Sequence, residues 1–187
     1  SYAVGADPWG LVAADVSSDG IPDLLVSTPD SDRVWLLAQD AARRGSFQPA
    51  RSHATPRMPY EAAVADLDGD GRNDVAVALN SISPGGIALL LQDPLHPGDF
   101  AGAVQVPLGA GGVGVAVADL DGDGRNDLLL ASRSSDPARA GVYVALQDPL
   151  VEGRFLPARR LDAGQSPGHV LATDLDTGQV LWLVTGI

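Results

Sequence analysis

Short apolar blocks alternate with turn residues along this 187-residue chain, and the blocks recur in a fixed order. A small apolar segment leads into an acidic loop, two nearly continuous apolar segments follow, and a Gly-x-Phe turn opens a fourth segment. Short apolar runs bounded by turn residues are typical of strands, and runs without polar alternation are typical of strands buried on both faces. The pattern therefore predicts an all-β protein built from four-stranded units.

The predicted strands fall at equivalent places in three successive units. The first strands are rich in Ala, Gly and Val, which suits a crowded place where sheets converge. An amphipathic helix competes for 32–44, but prolines occur at the equivalent places in the other units and favour a strand and then a turn. The first to fourth strands are predicted, in turn, at 10–14, 62–65 and 114–118; 24–27, 75–79 and 128–131; 33–37, 87–91 and 142–146; 47–51, 100–104 and 155–159.

The units repeat with a period of about fifty residues. The first Asp of the acidic loop recurs at 15, 66, 119 and 174, in steps of 51, 53 and 55. A Gln-Asp pair at 39, 92 and 147 lies 27 residues before the next loop each time, so the length varies only between the second and third strands. Antiparallel four-stranded units of this length predict the blades of a β-propeller, whereas a parallel β-helix needs a much shorter period.

The acidic loop carries the candidate chemistry. Its sequence is Asp-Leu-Asp-Gly-Asp-Gly-Arg-Asn-Asp in two copies, 66–74 and 119–127, with carboxylates at positions 1, 3, 5 and 9. Four carboxylates so close together repel one another unless a hard cation lies among them, and calcium prefers six to eight oxygen ligands. The loop begins like an EF-hand, but it lies between strands and has no Glu at position 12, so we predict a calcium loop inside a β-hairpin.

Two further copies depart from this pattern. The loop 15–23 has Ser17 in place of the second Asp, and we predict a third calcium ion there. The copy at Asp174 lacks acids at positions 5 and 9, where Gly178 and Trp182 occur, so we predict no metal at that place. The competing interpretation of every copy is an acidic, Asp-Gly-rich surface turn without a metal.

The loop, the Ala-rich strand before it and the period together resemble FG-GAP/VCBS repeats, the blades of integrin-α-like propellers. The resemblance covers nearly the whole chain and implies calcium bound between the first two strands of each blade. Such propellers have seven blades, whereas this chain has three units and part of a fourth. The ligands that the resemblance implies are side chains at loop positions 1, 3, 5 and 9 and the backbone carbonyl at position 7: Asp66, Asp68, Asp70, Arg72 and Asp74; Asp119, Asp121, Asp123, Arg125 and Asp127; Asp15, Ser17, Asp19, Ile21 and Asp23.

We predict a single domain over 1–187, with repeats at about 8–58, 59–111 and 112–166 and a partial repeat at 167–187. Residues 1–5 align with the end of a fourth strand, so the two ends of the chain could share a blade in which 1–7 complete the partial repeat. Three arrangements stay open: a four-bladed ring within one chain, a ring shared by two chains, or sheet edges that await another protein.

Composition narrows the function. The formal charge is −12, and three calcium ions would bring it to −6, so the acidity needs no basic partner. The chain has no cysteine, no apolar run long enough to span a membrane and no basic patch, which disfavours thiol chemistry, a membrane span and nucleic-acid binding. The three histidines occur in no metal-ligand spacing, and hydrolase and phosphate-loop motifs are absent, so we predict no enzyme.

Two functions fit these predictions. The first is a calcium-stabilised adhesion or assembly module outside the cytosol, at the cell surface or in the periplasm, where millimolar calcium is available. The second is a carbohydrate-binding domain or the scaffold of a polysaccharide-active enzyme. Any ligand is expected on the face opposite the calcium loops, near Arg133 and Arg139, whereas Trp9, Trp35 and Trp182 are expected in the core.

Overall fold

The computed structural model describes residues 1–81, 85–164, 167–174 and 180–186, with side chains up to residue 172. Within these residues the chain is all-β, apart from one 3₁₀ turn at Pro29–Ser31. Three four-stranded antiparallel sheets and one two-stranded hairpin follow one another along the chain, as predicted. The strands are β1 Leu11–Ala14, β2 Asp23–Thr28, β3 Arg33–Leu37, β4 Arg51–Ala54, β5 Pro59–Ala65, β6 Asp74–Leu79, β7 Gly86–Leu90, β8 Val104–Pro107, β9 Gly114–Ala118, β10 Asp127–Ser132, β11 Gly141–Ala145, β12 Arg159–Leu161, β13 Pro167–Asp174 and β14 Val180–Gly186.

Each four-stranded sheet is a blade in which the strands keep their chain order. Each second strand begins at the last Asp of the acidic loop, and this Asp is therefore the first residue of a buried strand. Every residue of β6, β7 and β10 is buried, which confirms the prediction from their continuous apolar runs. The strand prediction at 33–37 is also confirmed, and the competing helix is wrong.

The fourth strands begin four residues later than predicted. Phe47, Phe100 and Phe155 each form only an isolated bridge to the Gln of the preceding Gln-Asp pair. Two residues after each Phe comes Pro49, Gly102 or Pro157. Proline has no N–H to give to a ladder and glycine weakens a strand, so regular pairing resumes only after these residues.

Successive first strands, β1, β5, β9 and β13, contact one another and line one cavity, in agreement with the crowding that their small residues predicted. A Cβ on Gly10 would lie 2.7 Å from the Tyr60 carbonyl oxygen of the next blade. A Cβ on Gly114 would lie 2.8 Å from the Gly168 carbonyl oxygen of the hairpin. Both distances are shorter than real contacts allow, so glycine is required where neighbouring first strands meet.

The two ends of the chain behave differently from each other. Residues 1–10 form no regular strand, and the completion of the last blade by 1–7 stays a prediction. The Tyr2 and Phe47 rings meet edge to face, and Gly5 lies against the Trp35 ring of the first blade. The last repeat does supply a first and a second strand, β13 and β14, as predicted.

Side-chain amides join each blade to the acidic loop of the blade before it. Gln92 donates from Nε2 to the Val16 carbonyl over 2.8 Å, and Gln147 donates to the Leu67 carbonyl over 2.6 Å. The Asn at position 8 of the loop forms a second contact of this kind. Asn73 donates to the Asp15 carbonyl and Asn126 donates to the Asp66 carbonyl, each of which belongs to the first Asp of the preceding loop. The recurring Gln and Asn are therefore interblade contacts.

The first blade lacks this contact. Its position 8 is Pro22, which has no side-chain donor, and Gln39 donates to the carbonyl of Pro22 in its own loop.

The difference gives a matched pair of substitutions. Gln147→Ala is expected to cost about 1–3 kcal/mol, because it leaves the buried Leu67 carbonyl without a donor, whereas Gln39→Ala is expected to cost less because its acceptor is exposed. Urea unfolding of both variants measures this difference, and equal losses would contradict an interblade role.

Candidate metal centres and an axial cavity

Each perfect acidic loop is folded around the carboxylate of its first Asp. Asp66 accepts hydrogen bonds from the backbone N–H groups of Gly69 and Gly71, over 2.7 and 2.9 Å. Asp119 accepts the same pair from Gly122 and Gly124. These glycines have φ between 78° and 85°, a left-handed conformation that residues with a Cβ adopt reluctantly. The Gly at positions 4 and 6 therefore shapes the loop.

The last Asp of each loop is the buried anchor of the site. Asp74 accepts the backbone N–H of Leu67 over 2.9 Å and that of Gln92 over 2.8 Å. Asp127 accepts the equivalent pair from Leu120 and Gln147. One carboxylate thus ties the loop to the end of the third strand.

Three carboxylates converge in each perfect loop. Asp66, Asp68 and Asp74 offer oxygens that all lie within 4.8 Å of one another, and so do those of Asp119, Asp121 and Asp127. Burial raises the pKa of Asp74 to about 6, although two backbone N–H donors oppose the shift. Burial also raises the pKa of Asp68 and Asp127. Each of these carboxylates is therefore costly to hold as an anion unless a cation lies beside it.

The other predicted carboxylate ligands of these loops, at position 5, form ion pairs with arginine within the same loop. Asp70 pairs with the guanidinium of Arg72, and Asp123 pairs with that of Arg125 over 3.0 Å. Their backbone N–H groups turn inward, since Asp70 donates to Asp68 and Asp123 donates to Asp119. It stays a prediction that metal ligands also come from the side chains of Asp70 and Asp123 and from the position-7 carbonyls of Arg72 and Arg125.

The first loop has the same hydrogen bonds around its first and last Asp but one carboxylate fewer. Asp15 accepts the N–H groups of Asp19 and Gly20, and Asp23 accepts those of Ser17 and Gln39. Ser18 takes the place of the position-4 glycine, with φ of 58°. In the part of the chain with described side chains, only the two perfect loops bring three carboxylates together.

The environment of the Ser17 hydroxyl favours a cation in the first loop. Its Oγ is buried and has no hydrogen-bond partner among the described residues. A buried hydroxyl without a partner is costly, and a hydroxyl oxygen is a ligand that calcium accepts. Position 7 here is Ile21, whose carbonyl stays a predicted ligand. The predictions that Asp174 holds no metal and that Trp182 is a core residue fall outside the side chains described.

The donor sets fit a hard cation better than any other group. All the converging atoms are oxygens, and the described residues contain no cysteine. Soft metals favour thiolate and imidazole ligands, whereas carboxylates and carbonyls suit calcium, magnesium or manganese. Calcium tolerates the flexible geometry of a loop better than magnesium, which requires near-ideal octahedral coordination.

Sequence reasoning missed one acidic neighbour of the second loop. Glu152 in the turn between β11 and β12 reaches across from the third blade, and a Cβ on Gly69 would lie 3.5 Å from its carboxyl carbon. The adjacent Gly153 lies against Asp68. No local pattern marks Glu152, because the equivalent residues of the other blades are Arg44 and Pro97.

The first strands line an open cavity of about 810 Å³, called the axial cavity below. Strands β1, β5, β9 and β13 form its wall, and Trp9, Tyr60, Glu61, Asn80, Arg133 and His169 are among its polar and aromatic lining. The sequence prediction that Trp9 is a core residue is wrong, since its side chain is 65% exposed. Trp35, also predicted in the core, is only half-buried, and its Nε1–H donates to Thr28 Oγ1 over 3.0 Å.

The variable loops form a second, smaller cavity of about 170 Å³ beside the first. Arg133 and Arg139, the charged candidates expected from sequence, both line it, and Asn80 and Arg133 belong to both cavities. Residues 82–84 of the loop after β6, which the prediction also included, are not among the described residues. The expected side chains therefore meet next to the axial cavity.

A family model described as an FG-GAP-like repeat matches residues 15–77 and 66–130. These matches begin at the first Asp of the first and second loops and together span more than half of the chain. None of the curated proteins compared with the chain matches it significantly. Within the described residues, no helix is both long and apolar enough to cross a membrane.

Two solved structures share the fold at low sequence identity. One shows a lectin of Agrocybe aegerita that specifically recognises non-reducing terminal N-acetylglucosamine, with a TM-score of 0.59, 23% identity and 89% of this chain covered. The other shows BBS1N in complex with ARL6DN, with a TM-score of 0.55, 13% identity and 99% covered. This chain spans only about half the length of either, 43% and 52% respectively.

Proposed function

Because the chain belongs to the FG-GAP-like repeat family, we propose that it is a calcium-stabilised, non-catalytic β-propeller segment that acts as an adhesion or assembly module. The proposal treats 1–187 as one propeller segment with repeats at 8–58, 59–111, 112–166 and 167–187. Calcium has a structural part in it, fixing the loops through which successive blades contact each other.

The converging carboxylates carry the proposal. Each triad contains a buried Asp whose pKa is raised by burial, so the cluster is electrostatically unfavourable without a cation. The acidic loops also form the contacts between blades. The Val16 and Leu67 carbonyls, which accept the side-chain amides of the next blade, belong to the first and second acidic loops. An ion that orders the loop would therefore also order the contact between blades.

The proposed location follows from the expected affinity. Extracellular calcium modules bind at about 10⁻⁴–10⁻³ M, a concentration range found outside the cytosol, so we place the protein at the cell surface, outside the cell or in the periplasm. The proposed partner is another protein or a second copy, bound at an edge of the two-stranded hairpin β13–β14.

Isothermal titration with calcium tests the metal sites directly. We expect two or three ions per chain, with one ion lost in Asp68→Asn and one lost in Asp121→Asn, because each change removes one carboxylate from a triad. Asp30→Asn is the matched control, since Asp30 is an exposed carboxylate outside the loops. Unchanged stoichiometry in both loop variants, or no calcium binding by the parent chain, would refute the proposal.

Carbohydrate binding is the second candidate function, and one observation favours it. The exposed Trp9 ring lies against Tyr60 at the mouth of the axial cavity, with ring centroids 5.0 Å apart. The lectin that shares the fold makes the candidate worth testing, although that likeness concerns the fold.

A further inference from the structure

We infer that the axial cavity is a carbohydrate site in which a pyranose ring of the ligand stacks on Trp9. This inference deepens the second candidate function by assigning it a place and a set of residues. The cavity lies at the ends of the first strands where the blade-to-blade connections enter, opposite the acidic loops.

Trp9 supplies the flat apolar surface. Its side chain is 65% exposed, which is unusual for the largest apolar side chain, and its edge-on contact with Tyr60 holds it in place. The backbone N–H of Trp9 also donates to the Ser27 carbonyl over 2.9 Å, so the segment before β1 is fixed to the second strand. The C–H face of a pyranose packs against such a ring, and a ring held before binding loses little entropy.

Glu61 supplies an oriented acceptor. One of its carboxylate oxygens lies 3.0 Å from His169 Nδ1, and the other accepts the backbone N–H of Val115 over 3.3 Å. Glu61 belongs to the second blade, His169 to the hairpin and Val115 to the third blade. The carboxylate therefore bridges three units of the fold at the wall of the cavity.

Gly114 makes this bridge possible. A Cβ at this position would lie 3.2 Å from the Glu61 carboxylate and 2.9 Å from the His169 Cα. The third blade thus leaves open the space that the Glu61–His169 pair occupies. Together the pair offers a fixed acceptor and an imidazole, and a sugar hydroxyl is both a donor and an acceptor.

Asn80 and Arg133 supply uncommitted polar groups. Both line the cavity, and among the described residues neither side chain has a hydrogen-bond or ion-pair partner. An amide offers donors and an acceptor, and a guanidinium offers donors alone. A concave site with one aromatic face and a few convergent polar groups of mixed type is typical of sites for small polar ligands.

The mixture of groups favours a sugar over a peptide or an ionic ligand. Among the described lining residues, the cavity holds an acid paired with a histidine, one unpaired cation and a neutral amide, so these residues offer no concentration of one charge. Hydroxyl groups arranged around an apolar ring complement that mixture, because each can donate to Glu61 or accept from Arg133 and Asn80.

Saturation-transfer NMR on the calcium-loaded protein tests the inference. The probes are the methyl glycosides of glucose, galactose, mannose and N-acetylglucosamine at millimolar concentration. We expect at least one to receive saturation at its ring C–H protons and to bind about tenfold more weakly to Trp9→Ala. Glu61→Gln and Asn80→Ala should also weaken it, whereas Arg44→Ala, at an exposed turn near the calcium loops, should not.

The outcomes separate this inference from the calcium proposal. No transfer to any of the four probes, or transfer that survives both Trp9→Ala and Glu61→Gln, would overturn the inference. Binding of a peptide at the cavity in place of a glycoside would also overturn it. The calcium stoichiometry, measured on the same samples, shows separately whether the metal sites hold and whether each variant has kept its loops.

Discussion

Removal of calcium with EGTA is expected to lower the melting temperature of this chain by about 6–20 °C. At about 10 mM calcium and dissociation constants of 10⁻⁴–10⁻³ M, each occupied site adds about 1.4–2.7 kcal/mol of stability. Two sites therefore add about 3–5 kcal/mol, and for a chain of this length each kcal/mol shifts the melting temperature by about 2–4 °C. The stabilisation arises because the ion binds the folded carboxylate triads and not the unfolded chain.

Differential scanning calorimetry measures this shift. Magnesium at the same concentration is the control for ionic strength and for a general effect of divalent charge, and it should restore less of the loss. The double variant Asp68→Asn, Asp121→Asn removes one carboxylate from each triad and should lose most of the calcium-dependent shift, so that any remaining shift is assigned to an ion in the loop 15–23. If EGTA leaves the melting temperature of the parent chain unchanged, the loops are acidic turns without a structural metal.

The sequence predicts the acidic loops well because their geometry is local. Gly at positions 4 and 6 permits the positive φ that the loop needs, and the first Asp accepts hydrogen bonds from residues at most five positions away. The second and third strands are predicted equally well, since burial on both faces leaves continuous apolar runs such as 75–79 and 87–90.

Features that depend on contacts between blades escape this reasoning. The Gln of the Gln-Asp pair recurs visibly, but its acceptors lie 76 and 80 residues earlier in the chain, at Val16 and Leu67. Glu152 approaches the second loop only because the third blade packs beside it. Trp9 looked like a core residue because it precedes an apolar strand, whereas in the fold that strand faces the axial cavity.

Removal of the buried loop anchor is expected to destabilise the chain even without calcium. In Asp74→Ala the backbone N–H groups of Leu67 and Gln92 both lose their acceptor in a site where Asp74 is 0% exposed. Each buried N–H left without a partner costs about 1–3 kcal/mol, so the total is about 2–6 kcal/mol. Urea unfolding in EGTA measures this cost with the contribution of the metal removed.

Asp68→Asn is the matched control, because Asp68 belongs to the same triad but receives only the N–H of Asp70 within its own loop. Its loss of stability should appear only when calcium is present, whereas the loss in Asp74→Ala should persist in EGTA. Asp127→Ala should repeat the behaviour of Asp74→Ala, since Leu120 and Gln147 donate to Asp127 in the same way. Equal stability of Asp74→Ala and Asp68→Asn in EGTA would mean that the position-9 carboxylate acts through the metal alone. A difference between them would mean that the same residue first joins the loop to the third strand and only then offers its remaining oxygen lone pairs to a cation.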